Sequence, residues 1–362
     1  MTSNLRRAIA ATAGLLVALG SLAGCQVDDK TSADPGSAGQ DDAKTELSGS
    51  LVVACGAQED WCQAMTKAFQ DKTGVQTSFV RLSSGEAVSR LEAAKSQPEF
   101  DVWHGGPADG YGQAKEKGLL EAYVSPNAAA IDSQYKDPDG WWTGVYIGAL
   151  GFCSNQEILD ELGVAQPQTW DDLLDPKLSK QIMMAHPATS GTAYTALWTQ
   201  TVLKGSEDAG LAYMKSFSAN VLQFSKTGSA PGEAAARGEV AVGVIFTHDC
   251  VKYREEGADK LVVTFPADGS GYEIGGVALV AGSQNKAAAQ AYIDWALTGE
   301  AQNIGPTVGS YQVLTAPDAV TDDRMAKLAD VNLINYDFAA AAAAKSELLA
   351  KFEAEVASKP ES

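Results

Sequence analysis

The 362-residue chain is short of positive charge: 27 Lys and Arg stand against 46 Asp and Glu, a formal net charge of −19. Nucleic acid is excluded as a partner on that ground, because phosphate backbones are held by Lys and Arg that displace counterions. Histidine is scarcer still, with three residues, and the five Cys include no CxxC pair, so metal and thiol chemistry is confined to a few nameable positions. Catalytic motifs are missing as well. There is no HExxH, no P-loop GxxxxGK[ST], and no GxSxG in a strand–turn–helix setting. No run reaches the 18 or more apolar residues of a transmembrane helix. What remains is an ordinary soluble composition, 45 % hydrophobic and 20 % charged, at a length sufficient for about two domains with sizeable cores.

The first residues read as an address. Arg6 and Arg7 precede an apolar, small-residue run from Ala8 to Ala23, which ends in Leu22-Ala23-Gly24-Cys25. This is too short to span a membrane and suits an export signal. The ending matches the lipobox of bacterial lipoproteins, so residues 1–24 are expected to be a signal peptide and Cys25 the lipidated N-terminus. Residues 25–49 then form a flexible acidic tether, with six acids, two Lys and almost nothing large and apolar. The expected location is extracytoplasmic, anchored to the cell membrane by lipid alone.

Four further Cys (55, 62, 153 and 250) lie in the body. An even number in an oxidising compartment suggests disulfides, and three pairings are possible. Cys55 ends a strand and Cys62 opens the next helix, while Cys153 and Cys250 lie at strand ends far apart in sequence. The favoured pairs are Cys55–Cys62 and Cys153–Cys250; four buried thiols are the alternative.

From Ser50 onward strands and helices alternate. Strands at 51–54, 75–80 and 100–103 enclose helices at 60–72 and 86–95, and a helix at 108–117 is closed by Gly118. A second series runs from about Tyr146 to Ala281, followed by helices at 286–297 and 338–357. This order predicts an α/β protein of two doubly wound, mainly parallel lobes, with segments near 144–155 and 265–277 passing between them.

In open α/β sheets ligands bind beyond the carboxyl ends of strands. Those positions hold Gln58 and Trp61, then Ser83-Ser84-Gly85, then His104, then His186 and Ser190-Gly191-Thr192 with Tyr194, then Thr247-His248-Asp249. All three His fall just past strands. Ser83-Ser84-Gly85 and Ser190-Gly191-Thr192 each precede a helix, where free N–H groups, hydroxyls and a glycine form an anion site; plain N-capping is the simpler role. A hydrolase built on Ser190, His248 and Asp249 is disfavoured, because adjacent His and Asp rarely point at each other as a relay requires. Trp61, Trp103, Trp141, Trp142 and Tyr194 are candidates to stack on a ring, and two of the five are expected in the cleft.

The residues that carry these features resemble a known family. LVVACGAQEDWCQAMTKAFQDKTGV, FDVWHGGPADGYGQAKEKGLLEAY, IMMAHPATSGTAY and YEIGGVALVAGSQNKAAAQAYIDWALTGEAQ are similar to extracellular solute-binding proteins of bacterial ABC importers. The likeness covers about residues 50–310, and the branch is the one holding ferric-ion, phosphonate, sugar-phosphate and polyamine binders. It implies a type II periplasmic-binding fold, two lobes joined by two crossing strands and closing on ligand by a hinge. The lobes are expected at 50–147 with 272–310, and at 148–271 with 311–362. It also implies a monomer, with an importer permease and ATPase as partners, no catalysis and no cofactor.

The resemblance bears on the ligand too. Ferric binders of this branch carry adjacent tyrosines where this chain has Thr247-His248-Asp249, and no Tyr-Tyr pair occurs anywhere. His248-Asp249 followed by Glu273 is similar to members that bind sugar phosphates, carboxylates accepting from hydroxyls and Ser/Thr loops donating to phosphate. The expected solute is therefore a sugar phosphate or phosphonate. A neutral sugar or polyol, a metal ion and a polyamine follow in that order. A cleft in which Asp249 and Glu273 are unopposed beside the anion loops would favour a neutral or cationic solute instead.

Overall fold

The computed structural model describes residues 47–360. The expected signal peptide, Cys25 and nearly all of the tether lie outside the described residues. The body begins with β1 (Ser50–Cys55), α1 (Glu59–Thr73), β2 (Gln76–Arg81), α2 (Ser84–Ala93), β3 (Val102–Pro107), α3 (Ala108–Glu116) and β4 (Leu120–Glu121). In α1 the residues Trp61, Met65 and Phe69 recur at helical spacing and all three are buried, so one stripe of the helix faces the sheet. Gly118, at φ +63°, stands just past α3, in the left-handed conformation that stops a helix.

The long strand β5 (Thr143–Asn155) is buried along its whole length, because both lobes pack on it. After it come α4 (Gln156–Leu162), β6 (Ile182–Ala185), α5 (Gly191–Lys204), α6 (Glu207–Ser218), β7 (Val221–Ser225), α7 (Ala230–Ala236), β8 (Val242–Phe246), α8 (Thr247–Glu255) and β9 (Leu261–Thr264). The chain then returns through β10 (Tyr272–Val280), α9 (Lys286–Ala296), α10 (Gly299–Gln302), α11 (Ile304–Thr307) and β11 (Val313–Leu314), and ends on α12 (Phe338–Glu355).

Strand order is β2-β1-β3-β10-β5-β8-β6-β7. The βα units give parallel pairs, β1 with β2 and β3, and β6 with β7 and β8. The centre is antiparallel: β10 against β3 and β5, and β5 against β8 and β9. The sheet is thus mixed rather than mainly parallel, because the strands crossing between lobes run in opposite senses. Residues Thr143–Ala149 of β5 pair with β10, and Leu150–Asn155 pair with β8 and β9. One strand therefore serves both lobes.

Each lobe has an apolar layer on either face of its sheet. Alternate residues of β1 divide this way: Leu51, Val53 and Cys55 face one cluster, and Ala54 faces the other. In the second lobe Phe152, Met184 and Val244 face one layer, and Cys153, Met183 and Ile245 the other.

One stretch departs from the expected boundaries. Val313 and Leu314 pair with Ile147 and Tyr146 of β5, and Ala316 lies in the first lobe's core. The stretch after 310 therefore starts in the first lobe, because the short strand β11 completes that lobe's edge. Leu348 and Phe352 of α12 do lie in the second lobe's core. Behind the cleft, Lys345 of α12 donates to Asp109 of α3 at 2.5 Å, with both side chains buried.

Both favoured disulfides are present, Cys55–Cys62 and Cys153–Cys250, with Cα separations of 6.1 and 5.6 Å. The first closes the turn between β1 and α1. The second joins β5 to the first turn of α8.

Candidate functional site

A cavity of about 320 Å³ lies between the lobes, at the small end of the range of about 300–1,000 Å³ usual for small-molecule sites. The starts of α1, α2, α5 and α8 all reach it. Gln58, Ser83, Ser84 and Glu273 line it from the first lobe; Ser190, Gly191, Thr192, His248 and Asp249 line it from the second.

The lobes touch around this space. Gln58 Nε2 donates to Asp249 Oδ1 at 2.5 Å, Lys252 pairs with Asp60 at 2.9 Å, and the Gly85 N–H donates to the Thr189 carbonyl at 3.1 Å. Glycine is required at two of these meetings. A side-chain carbon on Gly85 would stand 2.3 Å from the Ala188 carbonyl oxygen, and one on Gly191 would stand 2.7 Å from Pro107.

The two hydroxyl loops are not equivalent. In the first, both the N–H and the hydroxyl of Ser83 donate to Glu86, a capping box. In the second, Ser190 Oγ accepts from the Ala193 N–H at 3.4 Å, which leaves its own proton to give. The hydroxyls of Ser190 and Thr192 both lie against the backbone of Gly228, another cavity residue.

His248 and Asp249 occupy the first turn of α8, a helix that the polar run THDCVKYRE does not announce. His248 is buried with its Nδ1 unpartnered. Burial lowers its pKa, against the pull of Asp249, so its ring is neutral at pH 7. Glu273 approaches it: a side-chain carbon on Gly148 would lie 2.8 Å from Glu273 Oε1 and 3.0 Å from His248 Nδ1. Burial first, then the charges of Asp249 and Asp109, push the Glu273 carboxyl well above the usual range.

The other expected residues lie elsewhere. Trp61 is 1 % exposed and packs on Tyr146 and His104 in the first lobe's core. His104 is buried in β3 against Tyr292, and burial lowers its pKa to about 4. His186 accepts from the Ala188 N–H, and its other ring nitrogen bonds the Ala357 carbonyl, so it fixes the chain's end. Tyr194 donates to the Ala341 carbonyl and lies under Lys345. Gly85 serves lobe contact. None of Trp61, Trp103, Trp141, Trp142 and Tyr194 lines the cavity; its aromatic residues are Tyr146, Phe246 and Tyr253. The helical stripe containing Trp61, Met65 and Phe69 already marked Trp61 as core.

The charge of the lining is acidic. Glu59, Asp60, Glu86, Glu233, Asp249 and Glu273 face Arg81 and Lys252. Several are engaged: Asp60 by Lys252, Glu86 by Ser83, and Asp249 by Gln58. Among the described residues, no group of three or more His, Cys, Asp or Glu is placed to hold a metal ion. Tyr146, Lys252 and Gln312 were not expected to line the site. Tyr146 sits within β5, Gln312 lies just before β11, and Lys252 lies one turn beyond the start of α8.

Residues 100–342 match the family described as bacterial extracellular solute-binding protein. The chain belongs to this family. An uncharacterised protein of Haemophilus influenzae is 40 % identical over 296 residues, covering 80 % of this chain and 85 % of the other. The structure of the periplasmic binding protein AfuA from Actinobacillus pleuropneumoniae, with fructose-6-phosphate bound, is 40 % identical with a TM-score of 0.83, covering 85 % of this chain and 98 % of that one. A putative 2-aminoethylphosphonate-binding periplasmic protein of Salmonella typhimurium is 28 % identical over 160 residues, 44 % of this chain and 45 % of the other. The solute-binding protein described here thus has the type II fold and is the binding component of an ABC importer, not an enzyme. Its relatives are periplasmic, and no helix among the described residues is long and apolar enough to cross a membrane.

Proposed function

We propose that the solute is a sugar phosphate, captured by a monomer that is held at the membrane through a lipid on Cys25. The observation that carries this reading is the presence in one cavity of both kinds of group such a molecule needs. Ser190 and Thr192 offer hydroxyl protons at the start of α5, where the helix also favours an anion. Asp249 and Glu273 offer carboxyl oxygens suited to sugar hydroxyls. The fructose-6-phosphate held by the AfuA structure, at 40 % identity, supports it.

Calorimetric titration with fructose 6-phosphate, fructose and inorganic phosphate tests it. Fructose 6-phosphate is expected to bind tightest. Asp249→Ala is expected to cost about 1.5–3 kcal/mol of binding, the value of a hydrogen bond to a charged group. Equal binding by that variant would remove Asp249 from the site.

A neutral sugar or polyol is the second reading, favoured by the excess of carboxyl groups over cations in the lining. Tighter binding of fructose than of fructose 6-phosphate would establish it. A metal ion lacks a ligand cluster among the described residues.

A further inference from the structure

We propose that Ser310, which lies outside the cavity, is a positioning residue for solute capture: through the amide of Gln58 it engages one oxygen of Asp249 and leaves the other to the solute; this rests on the sugar-phosphate reading, in which Asp249 accepts from a sugar hydroxyl.

Three side chains form a relay across the cleft. The Ser310 hydroxyl donates to Gln58 Oε1, and Gln58 Nε2 donates to Asp249 Oδ1 at 2.5 Å. Gln58 stands immediately before α1 in the first lobe, and Asp249 lies in the first turn of α8 in the second. Ser310 is held in the first lobe. It is fully buried, its N–H donates to the Gly305 carbonyl at 3.0 Å, and Gly305 packs against the Trp61 ring of α1. Ser310 is not one of the residues that line the cavity.

The direction of the relay follows from the chemistry of its end. A carboxylate accepts and does not donate, so the Gln58 amide must turn its nitrogen to Asp249 and its oxygen to Ser310. The Ser310 proton then has its acceptor in Gln58, and in no other described residue. Turned the other way, the amide would set an oxygen against the carboxylate. Gln58 is only half-buried, and a long amide side chain has rotamer freedom to lose when it is fixed. When the lobes part, Asp249 leaves with α8 and Ser310 stays beside Gln58. The hydroxyl keeps the amide turned toward the place to which Asp249 returns, so less side-chain freedom is lost at closure.

With Oδ1 taken, Oδ2 is the oxygen open to a solute. Asp249 lines the cavity, its side chain keeps 11 % of its surface exposed, and Oδ2 accepts from none of the described residues. Unlike Gln312 Oε1 and His248 Nδ1, it is not sealed from solvent. The bond at Oδ1 thus fixes the rotation of the carboxylate and presents Oδ2 to the cavity.

Ser310→Ala removes the hydroxyl and little else. Calorimetric affinity for fructose 6-phosphate is expected to fall about three- to tenfold. The decisive measurement is a double-mutant cycle with Gln58→Met. In the Gln58→Met background, Ser310→Ala is expected to change affinity by less than about twofold, because the amide through which it acts is gone. A hydroxyl that served only the packing of α11 would lower affinity by the same factor in both backgrounds, along with the melting temperature of the ligand-free protein. Unchanged affinity in Ser310→Ala, or an undiminished loss in the Gln58→Met background, overturns the inference. If Ser310→Ala does not fold, Ser310→Cys, whose thiol is a weak donor, decides by the same cycle. If the unaltered protein does not bind fructose 6-phosphate, the sugar-phosphate reading falls, and this inference with it. If it binds and the cycle shows no coupling, this inference alone falls.

Discussion

The loops Ser83-Ser84-Gly85 and Ser190-Gly191-Thr192 look alike in sequence and stand on opposite sides of one cavity, yet they spend their hydrogen-bonding groups differently. The first gives its Ser83 N–H and hydroxyl to Glu86 and its Gly85 N–H to the Thr189 carbonyl of the other lobe. Its work goes into capping α2 and meeting the opposite lobe. The second uses Ser190 only as an acceptor for its own helix, so its hydroxyl protons are free for a ligand. A glutamate three residues on, present in one loop and absent from the other, separates a loop whose serine hydroxyl is spent on its cap from one whose hydroxyl proton is not.

The strongest way to break this comparison is at the two glycines. Gly85→Ala would put a carbon 2.3 Å from a backbone oxygen, an overlap that costs about 1–3 kcal/mol when surroundings cannot relax. Ligand affinity is expected to fall by the corresponding factor, roughly fivefold to over a hundredfold, with small-angle scattering showing a more extended molecule. Gly191→Ala meets a proline ring and the Ser84 hydroxyl, at 2.7 and 2.8 Å. These overlaps are shallower than at Gly85 and meet side chains rather than backbone, so a smaller loss is expected; the reverse ranking would show that the loops do not meet as described.

Thr192→Val sharpens the comparison. Affinity for fructose 6-phosphate is expected to drop by about 1.5–3 kcal/mol, as for a hydrogen bond to a charged group, with no change in melting temperature. Ser83→Ala should do the opposite. It removes an N-cap, costing about 1 kcal/mol of stability by denaturant titration, and leaves binding unaltered. A Ser83 variant that loses affinity as much as the Thr192 variant would make the loops equivalent after all.

Much of this architecture was legible in residue order. Alternating strands and helices placed the loops at strand ends, and nine of the thirteen residues expected to touch ligand line one cavity. The failures have physical causes. α8 was missed because its buried residues, Thr247 to Cys250, are confined to its first turn and leave no repeating stripe. β11 has two residues, too few for any period. Gln312 gives no local signal, because it reaches the cavity from a segment far in sequence from the strand-end loops. Trp61 and Tyr194 were drawn toward the cleft by their neighbours, although side chains around a helix diverge by 100° per residue.

The bond between Cys153 and Cys250 closes a span of 97 residues, a constraint worth about 4–5 kcal/mol in the chain-entropy treatment. Small domains have only about 5–15 kcal/mol in total. The reduced chain is therefore a considerably weaker folder than the oxidised one. Oxidation fastens α8, and with it Asp249, to the strand shared by both lobes. The redox state of one bond is thereby coupled to the rigidity of the cavity wall, and a reductant is expected to loosen the wall as well as the fold.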